Sequence, residues 1–166
     1  MKVTFKGTPV ALEGYFPVKG DSAPYFSLVK NDFTEFTPKD NEGHYLIPNI
    51  FPSLDTGVCA TSVRRFNQMA ASLPGALVLC ISKDLPFAQQ RFCVAEGIDH
   101  VIPLSDFRPT SDFGRKYGVL IGSGPMQGLL ARAVVVIDPD GKVVHSELVS
   151  EIGHEPNYEE ALKAVR

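Results

Sequence analysis

Residues 76–81, Ala-Leu-Val-Leu-Cys-Ile, form an unbroken apolar run directly after Pro74-Gly75. A strand without polar alternation needs cover on both faces, which marks a buried parallel strand in a layered α/β fold. Its neighbours agree. Over residues 58–73, Val58, Ser62, Phe66, Met69 and Leu73 recur at spacings of three and four, which predicts a helix that Pro74-Gly75 ends. Pro86 stands where a second helix would begin, and Gly97 closes it after Glu96. A short strand at Val101-Ile102 follows. An earlier apolar run over residues 44–51, broken at Pro48 and closed by Pro52, supplies the strand before the first helix. The central order is therefore β-α-β-α-β.

The flanks add further strands. Residues 3–16 read as a β-hairpin with breaks at Gly7, Pro9 and Gly14, and residues 20–24 as a loop. Residues 25–29 and 35–37 read as short strands around a turn at Asn31-Asp32, and residues 111–117 as a helical turn. Residues 133–138 and 142–149 form two strands around Pro139-Asp140-Gly141, and residues 158–165 a terminal helix. This order predicts an α/β fold with a central mixed sheet flanked by helices on both faces, compatible with a thioredoxin-like fold carrying an extra N-terminal β-hairpin over about residues 1–20. At 166 residues, we expect one domain spanning 1–166, large enough for a core without metal or disulfide staples.

Charge and cysteine usage narrow the function classes. Sixteen Lys and Arg against nineteen Asp and Glu leave −3, which argues against nucleic-acid binding. No stretch reaches the length of a membrane span, and the opening residues Met1 to Gly7 lack the apolar run of a signal peptide. The expectation is a soluble cytoplasmic protein. Three cysteines, Cys59, Cys80 and Cys93, are too sparse and too odd in number for a disulfide scaffold, and no Cys-x-x-Cys pair exists. The four histidines show no helical metal-ligand spacing, so no metal site is expected.

Cys59 is the most suggestive thiol. The segment Pro52-Ser53-Leu54-Asp55-Thr56-Gly57-Val58-Cys59 leads from a strand into a helix and puts Cys59 in its first turn. Unpaired N–H groups and the positive dipole end favour an anion there, and the thiolate is the nucleophilic form of cysteine. Thr56, three residues earlier, could bond the sulfur or an incoming oxygen; it could equally be a plain N-cap with Cys59 merely packed. Arg132 interrupts the apolar residues before strand 133–138. A guanidinium at the mouth of a buried strand needs a partner, and a thiolate or polarised peroxide would serve; a solvated Arg just before the strand is the alternative. Arg64 and Arg65 read as solvated or paired.

The pattern Pro52-x-x-x-Thr56-x-x-Cys59 resembles the peroxiredoxin active-site motif. More closely, the chain resembles the bacterial thiol peroxidases, the atypical two-cysteine peroxiredoxins, along nearly its whole length. The resemblance runs through Gly14-x-x-Pro17-x-x-Gly20-x-x-Ala23-Pro24-x-Phe26 and Ser53-Leu54-Asp55-Thr56-Gly57-Val58-Cys59. It continues in Asp84-Leu85-Pro86-Phe87-Ala88-Gln89-Gln90-Arg91-Phe92-Cys93 and Ala131-Arg132-Ala133-Val134-Val135-Val136-Ile137-Asp138. Between Arg108 and Phe113 the chain runs one residue longer than that family's pattern, in an expected surface loop.

The resemblance implies that Cys59 is the peroxidatic cysteine, which becomes a sulfenic acid. It implies that Thr56 and Arg132 hold the thiolate and orient peroxide, that Pro52 shields the sulfur, and that Cys93 is the resolving cysteine of the same chain. It further implies reduction of hydrogen peroxide and organic hydroperoxides through a Cys59–Cys93 disulfide, recycling by thioredoxin, a homodimer, and no metal, haem or flavin. Without it, Cys93 on the second helix would read as a core-facing thiol, and Cys80 reads as structural in any case. Two rivals remain at this stage: a peroxide sensor or redox relay module of the same fold, and a cysteine hydrolase. Gly122-x-Gly124-x-x-x-Gly128 misses the dinucleotide fingerprint by one residue and is read as a loop, and Asp112-Phe113-Gly114 lacks the rest of a kinase signature.

Overall fold

The computed structural model describes residues 3–165; Met1, Lys2 and Arg166, and with them the ends of the expected 1–166 domain, lie outside the described residues. Eleven strands and four α-helices occur in the order β1 (Val3–Phe5), β2 (Thr8–Val10), β3 (Leu12–Glu13), β4 (Leu28–Val29), β5 (Glu35–Phe36), β6 (Tyr45–Ile50), α1 (Gly57–Ala70), β7 (Ala76–Ser82), α2 (Pro86–Glu96), β8 (Ile102–Ser105), α3 (Phe113–Lys116), β9 (Leu120–Ile121), β10 (Ala133–Ile137), β11 (Val143–Leu148) and α4 (Tyr158–Lys163). Seven strands form the central sheet, ordered β11-β10-β6-β7-β8-β4-β5. The β6, β7 and β8 ladders are parallel, and the outer pairs are antiparallel.

The apolar runs explain the layers. In β10, Ala133, Val135 and Ile137 enter one core while Val134 and Val136 enter the other. In β7, Leu79 and Ile81 face the first core, and Val78 and Cys80 the second. Both faces are thus covered, as a run without alternation demands. The β6-α1-β7 and β7-α2-β8 crossovers step the same way along the sheet, so both helices lie on one face. Val63 and Phe66 of α1, Phe92 of α2 and Tyr158 of α4 pack there. The other face carries Phe113 and Tyr117, stacked at 4.7 Å between ring centroids, together with Val3 of the β1–β2 hairpin.

Three expectations shift. Pro48 does not break β6; it sits inside a continuous strand paired with β7 from Tyr45 to Ile50. Its cost is local, because the β10 ladder pairs Leu46, Asn49 and Ile50 but skips Ile47 and Pro48, where proline has no N–H to give. The N-terminal hairpin ends at Val10, and β3 leaves it to pair with β9. The strand expected at Val101-Ile102 runs instead from Ile102 to Ser105, alongside β7. The loop from Arg108 to Asp112 does lie at the surface.

Gly14 carries φ +94°, and a Cβ there would sit 1.8 Å from the carbonyl oxygen of Arg115. Gly14→Ala should therefore destabilise the protein by about 2–4 kcal/mol, from left-handed strain plus a backbone clash. A urea unfolding midpoint indistinguishable from the parent would refute this reading of the close approach.

Candidate active site

The sheet order reverses beside β6, which has β7 on one side and β10 on the other. Crevices at the carboxyl ends of strands at such a reversal are where α/β folds bind ligands. Two elements meet there. The chain leaves β6 through Phe51 and buried Pro52 and enters α1, whose first turn carries Cys59. Ala133 at the start of β10 pairs with Ile50 at the end of β6, which brings the preceding residue, Arg132, to the same edge.

Arg132 Nη2 donates to Cys59 Sγ at 3.0 Å. Both residues are buried, Cys59 at 0% and Arg132 at 2% exposure, so the solvated-Arg alternative falls. Arg132 Nε donates to the Ile152 carbonyl at 2.8 Å, while Nη1 is buried without a partner. The guanidinium places a fixed positive charge in contact with the sulfur, which also lies in the first turn of α1 at the positive end of its dipole. The unpaired Nη1 leaves the guanidinium with unused donor capacity beside the sulfur.

Thr56 is the N-cap of α1. Its Oγ1 accepts from the Cys59 N–H at 3.3 Å and donates to the Ser53 carbonyl at 3.2 Å. In this conformation its hydroxyl hydrogen is therefore engaged by the Ser53 carbonyl. Two more side chains bond the first turn: Thr61, whose Oγ1 donates to the Gly57 carbonyl at 2.9 Å, and Ser62, whose Oγ donates to the Cys59 carbonyl at 2.8 Å and accepts from Asn49 Nδ2 at 3.4 Å.

Cys93 lies on α2, half-buried, and burial pushes its thiol up to about 11. Cys80 is buried in β7 with the Asn49 amide 3.9 Å from its sulfur, and burial pushes it up to about 12, a structural thiol. All three cysteines are free. Between α1 and α2 lies a groove of about 410 Å³, walled by Thr56 and Gly57 on one side and Arg91 and Phe92 on the other.

Sequence reasoning missed the residue that joins these two segments. The Asp84 carboxylate accepts from Ser53 Oγ at 2.7 Å, the Leu54 N–H at 2.8 Å and Ser82 Oγ at 2.7 Å. It ties the turn before Cys59 to the start of α2. In the sequence Asp84 stands only as the first residue of the resembling segment that ends at Cys93, with no role of its own, and the structure gives α2 no side-chain cap.

The redoxin family model matches residues 18–162. The chain belongs to the redoxin family, among the thiol peroxidases. It is 52% identical to the thiol peroxidase of Corynebacterium glutamicum over 164 residues, covering 99% of this chain and 98% of that protein. The thiol peroxidase of Mycobacterium tuberculosis is equally similar, at 52% over the same coverage. Among solved structures, a peroxiredoxin-like protein from Aquifex aeolicus superposes with a TM-score of 0.91 at 43% identity, covering 99% of this chain and 95% of that one. The resemblance read from Pro52, Thr56 and Cys59 is thereby borne out at the level of the family and the redoxin fold. Among the described residues no helix is long and apolar enough to cross a membrane.

Proposed function

This redoxin is a thiol-dependent peroxidase, and we propose that Cys59 is its peroxidatic cysteine. The observation that carries the assignment is the buried Arg132–Cys59 contact at the N-terminus of α1. The Cys59 thiolate attacks one oxygen of a hydroperoxide; the S–O bond forms as the O–O bond breaks. The leaving oxygen departs as hydroxide or alkoxide and takes up a proton, giving water or alcohol, while the cysteine becomes a sulfenic acid. Arg132 stabilises the charge developing on the oxygens, a contribution realised most fully in the transition state. Thr56 joins it once its hydroxyl turns from Ser53, and buried Pro52 keeps water from the sulfur. Cys59 is fully covered, so we assign peroxide entry to movement of the exposed turn at Asp55 to Gly57.

Cys93 is the proposed resolving cysteine. Its thiol displaces hydroxide from the sulfenic sulfur, and a proton makes the leaving group water as the Cys59–Cys93 disulfide forms. Protonated by burial, Cys93 is a poor nucleophile where it stands; unravelling α2 would lift that burden. The helix is suited to it, because Phe87 and Val94 are 71% and 72% exposed and only a few residues anchor it to the core. The disulfide closes a 34-residue span, a constraint of about 3.8 kcal/mol on the unfolded chain. Thioredoxin is the proposed reductant, supplying two electrons and two protons by thiol exchange, and every step runs through sulfur.

The exposed aromatic pair Phe33–Phe87, 5.1 Å between centroids, supports a homodimer that would cover it. A cycling disulfide with free thiols suits the reducing cytoplasm, where we place the protein. Cys93→Ser should keep one fast turnover with peroxide and lose thioredoxin-driven cycling. Steady cycling by this variant at the parent rate would remove Cys93 from the scheme. Multiple turnovers with thioredoxin alone also separate peroxidase from relay.

A further inference from the structure

Among the described residues, the Arg132 guanidinium makes two hydrogen bonds. One goes to the reactive sulfur; the other, from Nε, goes to the carbonyl of Ile152. A planar guanidinium held at Nε turns with that carbonyl, so the position of Ile152 sets the direction in which Nη1 and Nη2 point. Ile152 follows β11 in residues 150–153, outside the central sheet; its side chain is buried in the core, and the backbone on either side of it is bonded to the N-terminal hairpin. The Thr4 N–H donates to the Ser150 carbonyl at 2.7 Å, and the Ile152 N–H donates to the Thr4 carbonyl at 2.9 Å.

Between these two backbone bonds stands Glu151. Its carboxylate accepts from Thr4 Oγ1 at 2.9 Å, the Gly7 N–H at 2.9 Å, the Gly153 N–H at 3.0 Å and the Lys6 N–H at 3.2 Å. Lys6 and Gly7 have φ of +51° and +81°, the turn geometry that points successive amides at one acceptor. One side chain thus gathers the hairpin turn and both sides of Ile152 into a single anchor.

We propose that Glu151 is a positioning residue for peroxide reduction: by pinning residues 150–153 to the β1–β2 hairpin, it fixes the Ile152 carbonyl and through it the aim of Arg132 at Cys59. The hairpin is then part of the catalytic apparatus, one carbonyl away from the guanidinium. This rests on the reading of Cys59 and Arg132 given above. The four donors hold the Glu151 carboxyl down at about 2. The anchor is complete above the ordinary carboxylate range and is lost only as pH falls through that lowered value. Peroxidase activity should therefore show no acidic limb traceable to Glu151 at assay pH.

The test is a double-mutant cycle read by stopped-flow oxidation of Cys59 with hydrogen peroxide. Glu151→Gln keeps the shape but confronts N–H donors with an amide –NH₂. It should slow oxidation about tenfold, the scale of a sub-ångström misplacement of a catalytic donor. In an Arg132→Lys background, which lacks the Nε bond to Ile152, the same change should cost less than about twofold. Equal losses in both backgrounds, or none in the parent, would overturn the proposal. If Glu151→Gln folds poorly, Thr4→Val removes one donor and should show a smaller loss with the same coupling to Arg132. Ser123→Ala frees the chain just past the hairpin, where the Ala11 N–H donates to Ser123 Oγ at 2.8 Å. It should leave the rate unchanged, and a loss matching Glu151→Gln would make the effect one of general loosening and overturn the proposal. Failure of the underlying assignment looks different: Cys59→Ser would still consume peroxide.

Discussion

Cys59→Ser is expected to bring peroxide consumption down to the uncatalysed background, a loss of at least about 10⁴-fold. The substitution is nearly isosteric, and a serine hydroxyl can accept from Arg132 Nη2 as the sulfur does at 3.0 Å, so the site should survive. What disappears is the nucleophile. An alcohol is not ionised near neutral pH, and oxygen does not form the sulfenic intermediate. Cys80→Ala is the matched control. It removes a thiol within β7 that burial holds at about 12, and it should lower stability while leaving turnover intact. Peroxide consumption by purified reduced protein decides between them.

The second large effect is at Arg132, and it falls on rate far more than on stability. Arg132→Met should lower the second-order rate with hydrogen peroxide by about 10²–10³-fold, the usual cost of removing a donor aimed at developing charge. Stability should fall by no more than about 1–3 kcal/mol, because the Ile152 carbonyl loses its Nε donor while the methionine fills a similar volume. The unpaired Nη1 keeps that cost small: the guanidinium is incompletely satisfied in the resting protein. A residue kept only for folding would show the reverse, with unfolding first and activity following it. Rate by stopped flow and stability by urea titration, on the same sample, separate the two cases.

Much of this was visible in the chain itself, for identifiable reasons. The strands at residues 76–81 and 133–137 announce themselves because full burial on two faces leaves no room for polar residues. The first helix and its cap follow from Thr56 and a three-four spacing, and Cys59 follows from both. Arg132 stood out because a charge in an apolar run must be paired. Pro48 misled, since a proline in a central strand costs one ladder only, and that tolerance depends on which neighbour its missing N–H would have faced. Asp84 and Glu151 could not be assigned their contacts from sequence. Each acts by gathering backbone amides and hydroxyls from segments distant along the chain, Glu151 reaching Thr4 and Gly7, and no local pattern encodes such a meeting. The carbonyl of Ile152 is invisible to sequence altogether, because every residue has one.

The most direct measurement is the mass of the reduced protein after one equivalent of hydrogen peroxide, followed by peptide mapping. The account predicts a loss of two hydrogens per chain and one cross-linked pair, the peptides carrying Cys59 and Cys93. An unchanged mass, or oxidation mapped to Cys93 or Cys80 with Cys59 still reduced, would contradict it.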